Sequence, residues 1–395
     1  MDEQELIAFA RAHAPCYIYR RAEIVRLADA LQAALEGFEL LYSVKANPFP
    51  EIVSLLAKRG FGADAASVGE VRLAAACGIA PEDIYFSAPG RTQADFASAL
   101  RQCVPVADSL GELEKLERAA RDAGLAQLGV GVRIHPDFTM YGGDAVPAKF
   151  GVDYAQADDL LRTLRACPHL RMEGIHVHVQ SQVLDADALG RFYTNCYQLA
   201  EDFSARLSSP MRFIDFGSGV GVVFDAQSQQ ALELDVLAGY TRAIAARNRE
   251  RLRARLLIET GRFVTCTAGT FYTPVVDVKQ SHGKTFVVVK NGINGFMRPA
   301  VTNMLRRVAP GAPAMEPFYS GETSYVLTVP GSSAPLETVT VAGNLCTGMD
   351  VITEDVTLPA VREGDLIAIS HAGAYARSFS ALAFASHPLP GEYLL

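Results

Sequence analysis

The chain has 395 residues, of which 49% are hydrophobic and 20% are charged, and its formal net charge at pH 7 is -8. This length exceeds the size at which a single hydrophobic core stops growing, so we expect a folded protein of two domains. Because nucleic-acid and anionic-membrane surfaces require concentrated positive charge, the acidic balance argues against both and leaves small metabolites as the expected partners.

The chain begins with an acidic segment of helical character, MDEQELIAFARAHA. This segment lacks the basic start and apolar run of a signal peptide, and no later stretch has the length and apolar character of a membrane span. The seven cysteines are scattered without a C-x-x-C pair, which is typical of thiols in a reducing compartment. We therefore expect a cytoplasmic protein.

From about residue 38 to residue 260, short β-rich runs alternate with Ala/Leu-rich stretches of helical period, which is typical of βα units around a parallel sheet. Stretches such as PEIVSLLAKRG and ADFASALRQC have the length and apolar spacing of single crossover helices. Eight such strands predict a closed (β/α)8 barrel. The runs end at Lys45, Ser67, Ala88, Asp108, His135, Val179, Gly217 and Thr260.

After residue 265 the pattern changes to alternating runs punctuated by Gly and Pro, namely TFVVVKN, SYVLTVPG, ETVTVAG and DLIAISHAG. Such runs are typical of antiparallel strands. We expect a second, all-β domain of sandwich or barrel-like form, to which the early segment CYIYRR also contributes a strand. The predicted domains are residues 22-265 for the barrel and residues 1-21 plus 266-395 for the β-domain.

Polar residues gather where the predicted barrel strands end, and in such barrels the active site lies at the C-terminal ends of the strands. Lys45 closes an apolar strand, so its amine is expected at the barrel mouth, where it can form an imine with an aldehyde. The alternative is a lysine that merely ends a strand. The other candidates at these ends are Asp64, Arg133, His178, Gly217 and Glu259.

The segment DFGSGVGV places Gly217, Gly219 and Gly221 after a strand, and backbone without side chains can approach a phosphate closely. A simple tight turn is the alternative. The segment ETGR places Glu259 at the end of the last barrel strand, to hold a ring N-H, and Arg262 near a phosphate. A structural salt bridge between them is the alternative there.

His176 and His178 alternate on one strand and therefore face the same side. Two such histidines resemble a metal pair, but a metal site requires three or more ligands, and no third histidine or carboxylate follows at close spacing. A flat imidazole that faces a planar cofactor explains the pattern without a metal. We expect no metal site.

Seven separated motifs resemble the ornithine/diaminopimelate decarboxylase family, which comprises pyridoxal-phosphate enzymes of fold type III. Their order and spacing match over nearly the whole chain. The segments NGFMRPA and SHPLPGE make the diaminopimelate decarboxylase branch the nearest. The motifs are YSVKAN, GADAAS, HVHVQSQ, GSGVG, ETGR, LCTGMD and GAY.

The resemblance implies pyridoxal 5'-phosphate as cofactor and a head-to-tail homodimer with two shared active sites. Lys45 becomes the Schiff-base lysine, His178 stacks on the pyridine face, and Glu259 keeps the ring nitrogen protonated. Asp64 and Arg133 position Lys45 and His178. The residues implied around the phosphate are Gly217, Ser218, Gly219, Gly221, Arg262 and Tyr375, with Ser181 assisting.

Cys346 resembles the family cysteine that reaches into the neighbouring protomer's site and protonates the carbon that has lost its carboxylate. Asp350 follows it as the family pattern expects, and Arg298 resembles a ligand for a substrate carboxylate. The position after the cysteine is Thr347, where diaminopimelate decarboxylases usually carry an acidic residue that reads the distal amine. The catalytic residues are thus retained, while the residues for the distal part of the substrate differ.

These features predict α-decarboxylation of an amino acid or an amino-acid conjugate, in siderophore or other specialised biosynthesis. The alternative is a meso-diaminopimelate decarboxylase of lysine biosynthesis, followed by an ornithine or lysine decarboxylase. An amino-acid racemase shares the cofactor barrel but requires a tyrosine base at the level of Cys346, which the motif LCTGMD argues against. A small cofactor-carrying barrel protein without catalytic activity lacks the long C-terminal half.

Overall fold

The computed structural model describes residues 2-207, 209-309 and 325-395, and this part of the chain forms 17 strands and 11 α-helices. The strands are β1 Cys16–Tyr19, β2 Glu39–Ser43, β3 Gly62–Ala65, β4 Ile84–Ser87, β5 Val104–Ala107, β6 Leu128–His135, β7 Val152–Asp153, β8 Leu170–His176, β9 Phe213–Asp215, β10 Arg255–Thr260, β11 Gly269–Ser281, β12 Lys284–Val289, β13 Leu327–Thr328, β14 Leu336–Gly343, β15 Val351–Pro359, β16 Leu366–Ile369 and β17 Gly391–Leu394. The helices are α1 Glu3–His13, α2 Arg21–Ala34, α3 Pro50–Ala57, α4 Val68–Ala76, α5 Gln93–Ala99, α6 Leu110–Asp122, α7 Ala157–Arg165, α8 Ala186–Arg206, α9 Leu234–Glu250, α10 Arg262–Thr265 and α11 Met297–Val308.

The chain divides into two compact units. One comprises Ala28–Gly221 and Leu232–Gly261, and we call it the barrel unit. The other comprises Met1–Leu27, Val222–Ala231 and Arg262–Leu395, and we call it the β unit.

Eight parallel strands of the barrel unit close on themselves in the order β5-β4-β3-β2-β10-β9-β8-β6, with β6 pairing back to β5 and β7 added beside β6. Side-chain caps start the crossover helices directly after the strands. The hydroxyl of Ser67 accepts the backbone N-H of Glu70 at the start of α4, and Ser109 accepts that of Glu112 at the start of α6. After β3 and β5 the chain therefore passes within a few residues into the crossover helix that parallel pairing requires.

Phe213 is a large buried side chain in the barrel and packs with Leu41, Tyr85, Val106 and Leu257. The neighbouring strands make room for its ring with glycines. A Cβ at Gly131 would lie 2.7 Å from the ring, and one at Gly174 would lie 2.5 Å from it. The barrel is thus a filled core, and polar groups are left to its C-terminal end.

The described strands of the β unit form one eight-stranded sheet organised around the long strand β11. The first half of β11 pairs antiparallel with β1 and β16, and its second half pairs antiparallel with β12. The register shifts between Val275 and Asp277, where one half gives way to the other. Two pairs, β1 with β17 and β12 with β14, are parallel, so the sheet is not purely antiparallel as the sequence pattern indicated.

The predicted fold class, a (β/α)8 barrel with a second domain built mainly of strands, is confirmed. The pairing of β1 with β11 also confirms that CYIYRR contributes a strand to the β unit. Several predicted strand ends are too late, because β2, β8 and β9 end at Ser43, His176 and Asp215. Helix α11 was not predicted, and Ser324, the first residue of SYVLTVPG, lies outside the described residues. Among the described helices, none has the length and apolar character to cross a membrane.

Candidate active site

A set of buried polar side chains lies at the C-terminal ends of the barrel strands. Arg133 of β6 is the register partner of His176 of β8, which in turn is the partner of Asp215 of β9. Arg133 is 8% exposed, His176 2% and Asp215 0%. Since parallel strand ends meet at one mouth, these groups come together although they lie far apart in sequence.

Lys45 lies in a short 3-10 turn, Val44–Ala46, immediately after β2, and not in the strand itself. Its side chain is 42% exposed, whereas that of Asp64 at the end of β3 is 1% exposed. The amine of Lys45 forms an ion pair with the Asp64 carboxylate. An accessible amine held by a buried carboxylate is therefore placed at the barrel mouth, as the sequence predicted.

Glu259, in β10, is 4% exposed, and its backbone N-H donates to the carbonyl of Gly217 at 2.9 Å. Burial, reinforced by the charge of Asp64, raises the pKa of Glu259 to about 8. Lys45 and Arg133 act in the opposite direction. A carboxylate in this position is stabilised by any additional cation that binds against it.

His178 follows β8 and is half-buried. Its Nδ1 accepts the backbone N-H of Ser218 at 3.1 Å, and Arg133 donates to its carbonyl at 3.1 Å. Burial, together with the positive charges of Arg133 and Lys45, lowers the pKa of His178 to about 3. The ring is therefore neutral at physiological pH, with its proton on Nε2.

The turn after β9 requires glycine at position 217. Gly217 has a φ of +65°, and an added Cβ would lie 2.7 Å from both the Cβ of His178 and the carbonyl oxygen of Val177. Its N-H donates to Asp215 Oδ1 at 2.9 Å, and the N-H of Gly221 donates to the carbonyl of Val183 at 3.0 Å. Several N-H groups of this glycine segment thus already have partners within the barrel unit, so the phosphate cradle remains a prediction.

Two further predicted residues, Ser181 and Arg133, lie in the barrel unit. Ser181 lies half-buried in the loop between β8 and α8. Arg133 has its guanidinium 3.5 Å from Asp108 Oδ1 and 4.4 Å from the ring centroid of Phe150. The contacts with Asp108 and Phe150 orient Arg133, and neither contact was predicted from the sequence.

The β unit contains the other predicted cofactor and substrate residues. The guanidinium of Arg262, 6% exposed, lies 5.2 Å from the ring centroid of half-buried Tyr375. Arg298 is the second residue of α11 and is 1% exposed. It donates to the carbonyl of Ala374 at 3.1 Å, and its guanidinium lies 5.5 Å from the ring centroid of Phe224. Burial lowers the pKa of Arg298 from its ordinary value, so this cation gains from binding an anion.

Cys346 is an exposed free thiol in the loop between β14 and β15. Thr347 beside it is half-buried. Asp350, only 2% exposed, closes the same loop: its carboxylate accepts the backbone N-H groups of Ile293 at 2.7 Å and of Leu345 at 2.9 Å. The predicted contact of Asp350 with substrate stays a prediction, and its visible partners are backbone amides.

The side chains of His176, Asp215 and Glu259 bring one ligand atom each within 4.8 Å of one another, all buried. Such a trio can hold a small cation in principle. It also suits the protonated nitrogen of a pyridine ring, since the carboxylate oxygens Asp215 Oδ2 and Asp64 Oδ1 are buried without a hydrogen-bond partner among the described residues. With the accessible amine of Lys45 nearby, the residues of this mouth fit a polar, aldehyde-bearing ring.

Asp215 and Ser87 were not among the predicted site residues, and His176 was considered only as a possible metal ligand. Ser87 ends β4 at 8% exposure, and its hydroxyl lies 3.1 Å from His176 Nδ1. All three residues end barrel strands, which is the signal that was available. Their mutual contacts join β4, β8, β9 and β10 and become visible only in the closed barrel.

Comparison with known proteins identifies the family to which this chain is similar. The family model described as the pyridoxal-dependent decarboxylase, pyridoxal binding domain, matches residues 21-266. The L-glutamyl-(BtrI acyl-carrier protein) decarboxylase of Niallia circulans is 30% identical, over 100% of this chain and 92% of that protein. The diaminopimelate decarboxylase of Zymomonas mobilis is 27% identical, over 96% and 87% of the respective chains.

A solved structure supports the same assignment over the whole length. The diaminopimelate decarboxylase of Helicobacter pylori, crystallised with L-lysine, superposes with a TM-score of 0.83 at 26% identity, over 100% of this chain and 94% of that one. The predicted family and the predicted cofactor are confirmed by these matches. The chain therefore belongs to the pyridoxal-dependent decarboxylases, enzymes that use pyridoxal phosphate, and is similar to the diaminopimelate decarboxylase branch.

Proposed function

We propose that this decarboxylase removes the α-carboxylate of an amino acid whose distal end is joined to a larger group, such as a carrier protein or a siderophore precursor. The observation that carries the chemistry is the accessible Lys45 amine, paired with Asp64. The uncharged Thr347 beside Cys346 supports the substrate class.

When bound, pyridoxal phosphate supplies an aldehyde that links covalently to an amine and a ring that withdraws electrons from the α-carbon. Lys45 provides that amine, and Asp64 orients it through their ion pair. Glu259 holds a proton at the ring nitrogen, because its buried carboxylate is stabilised by a cation there.

His178 would pack its neutral imidazole against the ring of the bound cofactor. Its orientation is fixed by the Ser218 N-H on Nδ1 and by Arg133 on its carbonyl. Because the pKa of His178 lies at about 3, the imidazole adds no positive charge next to the ring. This residue binds and orients, and it does not transfer a proton.

Following the family pattern, we assign the phosphate to the glycine turn with its flanking serine, and we add Arg262 and Tyr375 to its ligands on that resemblance alone. Gly217 adopts a φ that favours glycine, which is consistent with a turn kept open for an anion. Arg262 supplies a buried guanidinium beside Tyr375. The complete set is Ser181, Gly217, Ser218, Gly219, Gly221, Arg262 and Tyr375.

Cys346 returns a proton from Sγ to the carbon that has lost carbon dioxide, so that the product is an amine. The thiol is exposed on the loop that Asp350 closes. Following the family pattern, it acts in the site of a second protomer, and we propose a homodimer with two shared sites. Sedimentation should therefore give a dimer, and a stable, active monomer would overturn this part.

Arg298 is proposed to bind a substrate carboxylate, since it is a buried cation whose pKa is lowered by its surroundings. Thr347 offers no negative charge for a distal amine. A relative that resembles this chain over its full length is named for L-glutamyl on an acyl-carrier protein, which supports a conjugated substrate. Meso-diaminopimelate is the second candidate, because several diaminopimelate decarboxylases are similar over most of the chain.

The test is release of carbon dioxide from the holoenzyme with L-glutamyl thioester on a carrier protein, meso-diaminopimelate, L-lysine, L-ornithine and L-glutamate. We expect kcat/KM to be highest for the conjugate. A higher value for meso-diaminopimelate would replace the conjugate with that substrate. Racemised amino acid without gas release would contradict decarboxylation itself.

A matched variant tests the role of Thr347. T347D restores the acidic residue that the diaminopimelate branch usually carries, whereas T347S preserves the hydroxyl and serves as the control. We expect T347D to favour substrates with a distal amine over the conjugate by about tenfold, which corresponds to ~1.4 kcal/mol. An unchanged preference in T347D would remove Thr347 from substrate selection.

We also propose a cytoplasmic location. The seven cysteines are free thiols, and most of them are buried. A chain with this many unpaired cysteines is typical of a reducing compartment. Fractionation of cells that produce the protein would test this.

A further inference from the structure

Ser87, His176 and Glu259 form a buried line of polar groups across the barrel mouth. The Ser87 hydroxyl lies 3.1 Å from His176 Nδ1, and His176 Nε2 lies 3.3 Å from Glu259 Oε1. Their exposures are 8%, 2% and 4%. The three come from strands β4, β8 and β10, so the line connects elements that are not neighbours in the barrel order.

The protonation state of His176 decides what this line can do. Burial, together with the charge of Arg133, lowers the pKa of His176 well below its ordinary range, so the imidazole is neutral and carries one N-H. The Ser87 hydroxyl can donate to Nδ1, which places that N-H on Nε2, facing the Glu259 carboxylate. Once Glu259 ionises against the cation of the bound cofactor, the opposite tautomer would set a lone pair of Nε2 against a carboxylate oxygen.

Neighbouring negative charges make the contact between His176 and Glu259 important for the orientation of the Glu259 carboxylate. Asp215 and Asp64 both lie near Glu259, and each disfavours a negative charge there. A buried carboxylate among like charges, with few donors, has no single preferred orientation unless one of its oxygens is held. The Nε2 N-H of His176, 3.3 Å from Oε1, is placed to supply that hold.

We propose that His176, set by Ser87, is a positioning residue whose Nε2 N-H, buried without another partner among the described residues, pairs with Oε1 of Glu259 and leaves Oε2 available to the ring nitrogen of the cofactor. The inference rests on the proposed function, in which Glu259 holds the proton at that nitrogen. His176 acts only through Glu259 and does not itself contact the ring.

The test is a double-mutant cycle on the dissociation constant of pyridoxal phosphate, measured by equilibrium dialysis on the full chain. His176→Phe removes both ring nitrogens at similar volume, and Glu259→Gln removes the charge of the carboxylate. We expect His176→Phe to weaken binding by about tenfold in the wild-type background and by less than about twofold in the Glu259→Gln background. An equal loss in both backgrounds, or none in either, would overturn the proposal.

Matched variants separate positioning from simple packing. His176→Gln retains an amide N-H near the place of Nε2 and is expected to recover at least half of the lost affinity, whereas His176→Asn is not. Ser87→Ala should weaken binding by about threefold, and Ser87→Thr should restore it. If His176→Phe fails to fold, the variants Ser87→Ala and Ser87→Thr provide the test. Equal affinity of these two variants for pyridoxal phosphate would count against the positioning role of His176.

Failure of this inference differs from failure of the proposed function. If Glu259→Gln alone leaves the dissociation constant and the visible absorbance of the bound cofactor unchanged, then the assignment of Glu259 to the ring nitrogen is wrong. If Glu259→Gln weakens binding and His176→Phe adds its own independent loss, then Glu259 is correctly assigned and only the positioning role fails.

Discussion

The carboxylate of Asp350 accepts the backbone N-H of Leu345 at 2.9 Å, and Leu345 is the residue directly before the exposed Cys346. Its other oxygen accepts the N-H of Ile293 at 2.7 Å. The space around the carboxylate is filled so closely that a Cβ at Gly292 or Gly343 would clash with it. One buried side chain thus fixes the loop that presents the thiol.

Asp350→Asn should loosen this loop. The amide keeps one acceptor but turns an N-H toward a backbone N-H, so we expect a loss of about 1-3 kcal/mol in the free energy of unfolding. Turnover should fall while affinity for the cofactor is retained. Calorimetry and equilibrium dialysis measure the two effects. Asp365→Asn is the control, because Asp365 caps the N-H of Arg362 in an exposed turn and should cost less. Equal losses in the two variants would contradict the loop role.

Lys45→Ala should abolish the covalent link to the cofactor, and with it the absorbance band near the visible edge. Lys45→Arg should lose the band as well, because a guanidinium is a poor nucleophile, while it keeps the positive charge beside Asp64. Spectra of the two purified variants check this. Persistence of the band in Lys45→Ala would remove Lys45 from its role.

Cys346→Ala should slow turnover by about 10²-fold or divert the product, with the cofactor still bound, because a positioned acid contributes roughly that much. Product analysis by mass spectrometry with a parallel absorbance spectrum checks both parts. Cys77→Ala is the control, since Cys77 is a partly exposed thiol whose Sγ contacts only the carbonyl of Pro50 among the contacts described. Wild-type turnover in Cys346→Ala would count against the acid role.

The cofactor-free protein should lose stability as the pH rises from 6.5 to 8. Burial raises the pKa of Glu259 from 4.5 to about 8, so in this window the folded state holds a proton that the unfolded chain has released. The stability this group contributes is complete below pH 4.5 and is lost as the pH rises through 8. His178, whose pKa falls from 6.5 to about 3, has the opposite dependence, and its effect is confined to pH values below the window.

The measurement is the free energy of unfolding in urea at pH 6.5 and pH 8.0. Glu259 contributes a slope of at most ~1.4 kcal/mol per pH unit, and Asp215, whose pKa is also raised by burial, adds in the same direction. Glu259→Gln should reduce the slope. Asp95→Asn should not, because the pKa of Asp95 is lowered and its titration lies far below the window. An identical slope in Glu259→Gln would show that Glu259 is ionised in the folded state.

The barrel and the positions of its polar residues could be predicted because strand runs and crossover helices leave a local signal. Lys45, Asp64 and Glu259 were chosen as candidates because each lies at or near the end of a predicted strand. The ends of β2, β8 and β9 were placed too late because an apolar residue after a strand looks the same whether it continues the ladder or begins a turn. Val44, for example, is buried in the 3-10 turn.

The contacts inside the site could not be predicted in the same way. Which strand ends face one another depends on closure of the barrel, and no local pattern encodes that Ser87 meets His176 or that His176 meets Glu259. Helix α11 was missed because Pro299 interrupts the apolar pattern, although a proline in the first turn of a helix is well tolerated. Charges and hydrogen bonds between distant segments are tertiary properties.

Strand β1 lies between β11, more than 240 residues later, and β17, which ends at Leu394. On the ribosome, residues 16-19 emerge long before both of their neighbours in the sheet. The barrel strands between Glu39 and Thr260 are synthesised before β11 and β17, so the barrel can assemble before β1 has a strand to pair with. A protein shortened by its last five residues would leave one edge of that segment open to any other strand.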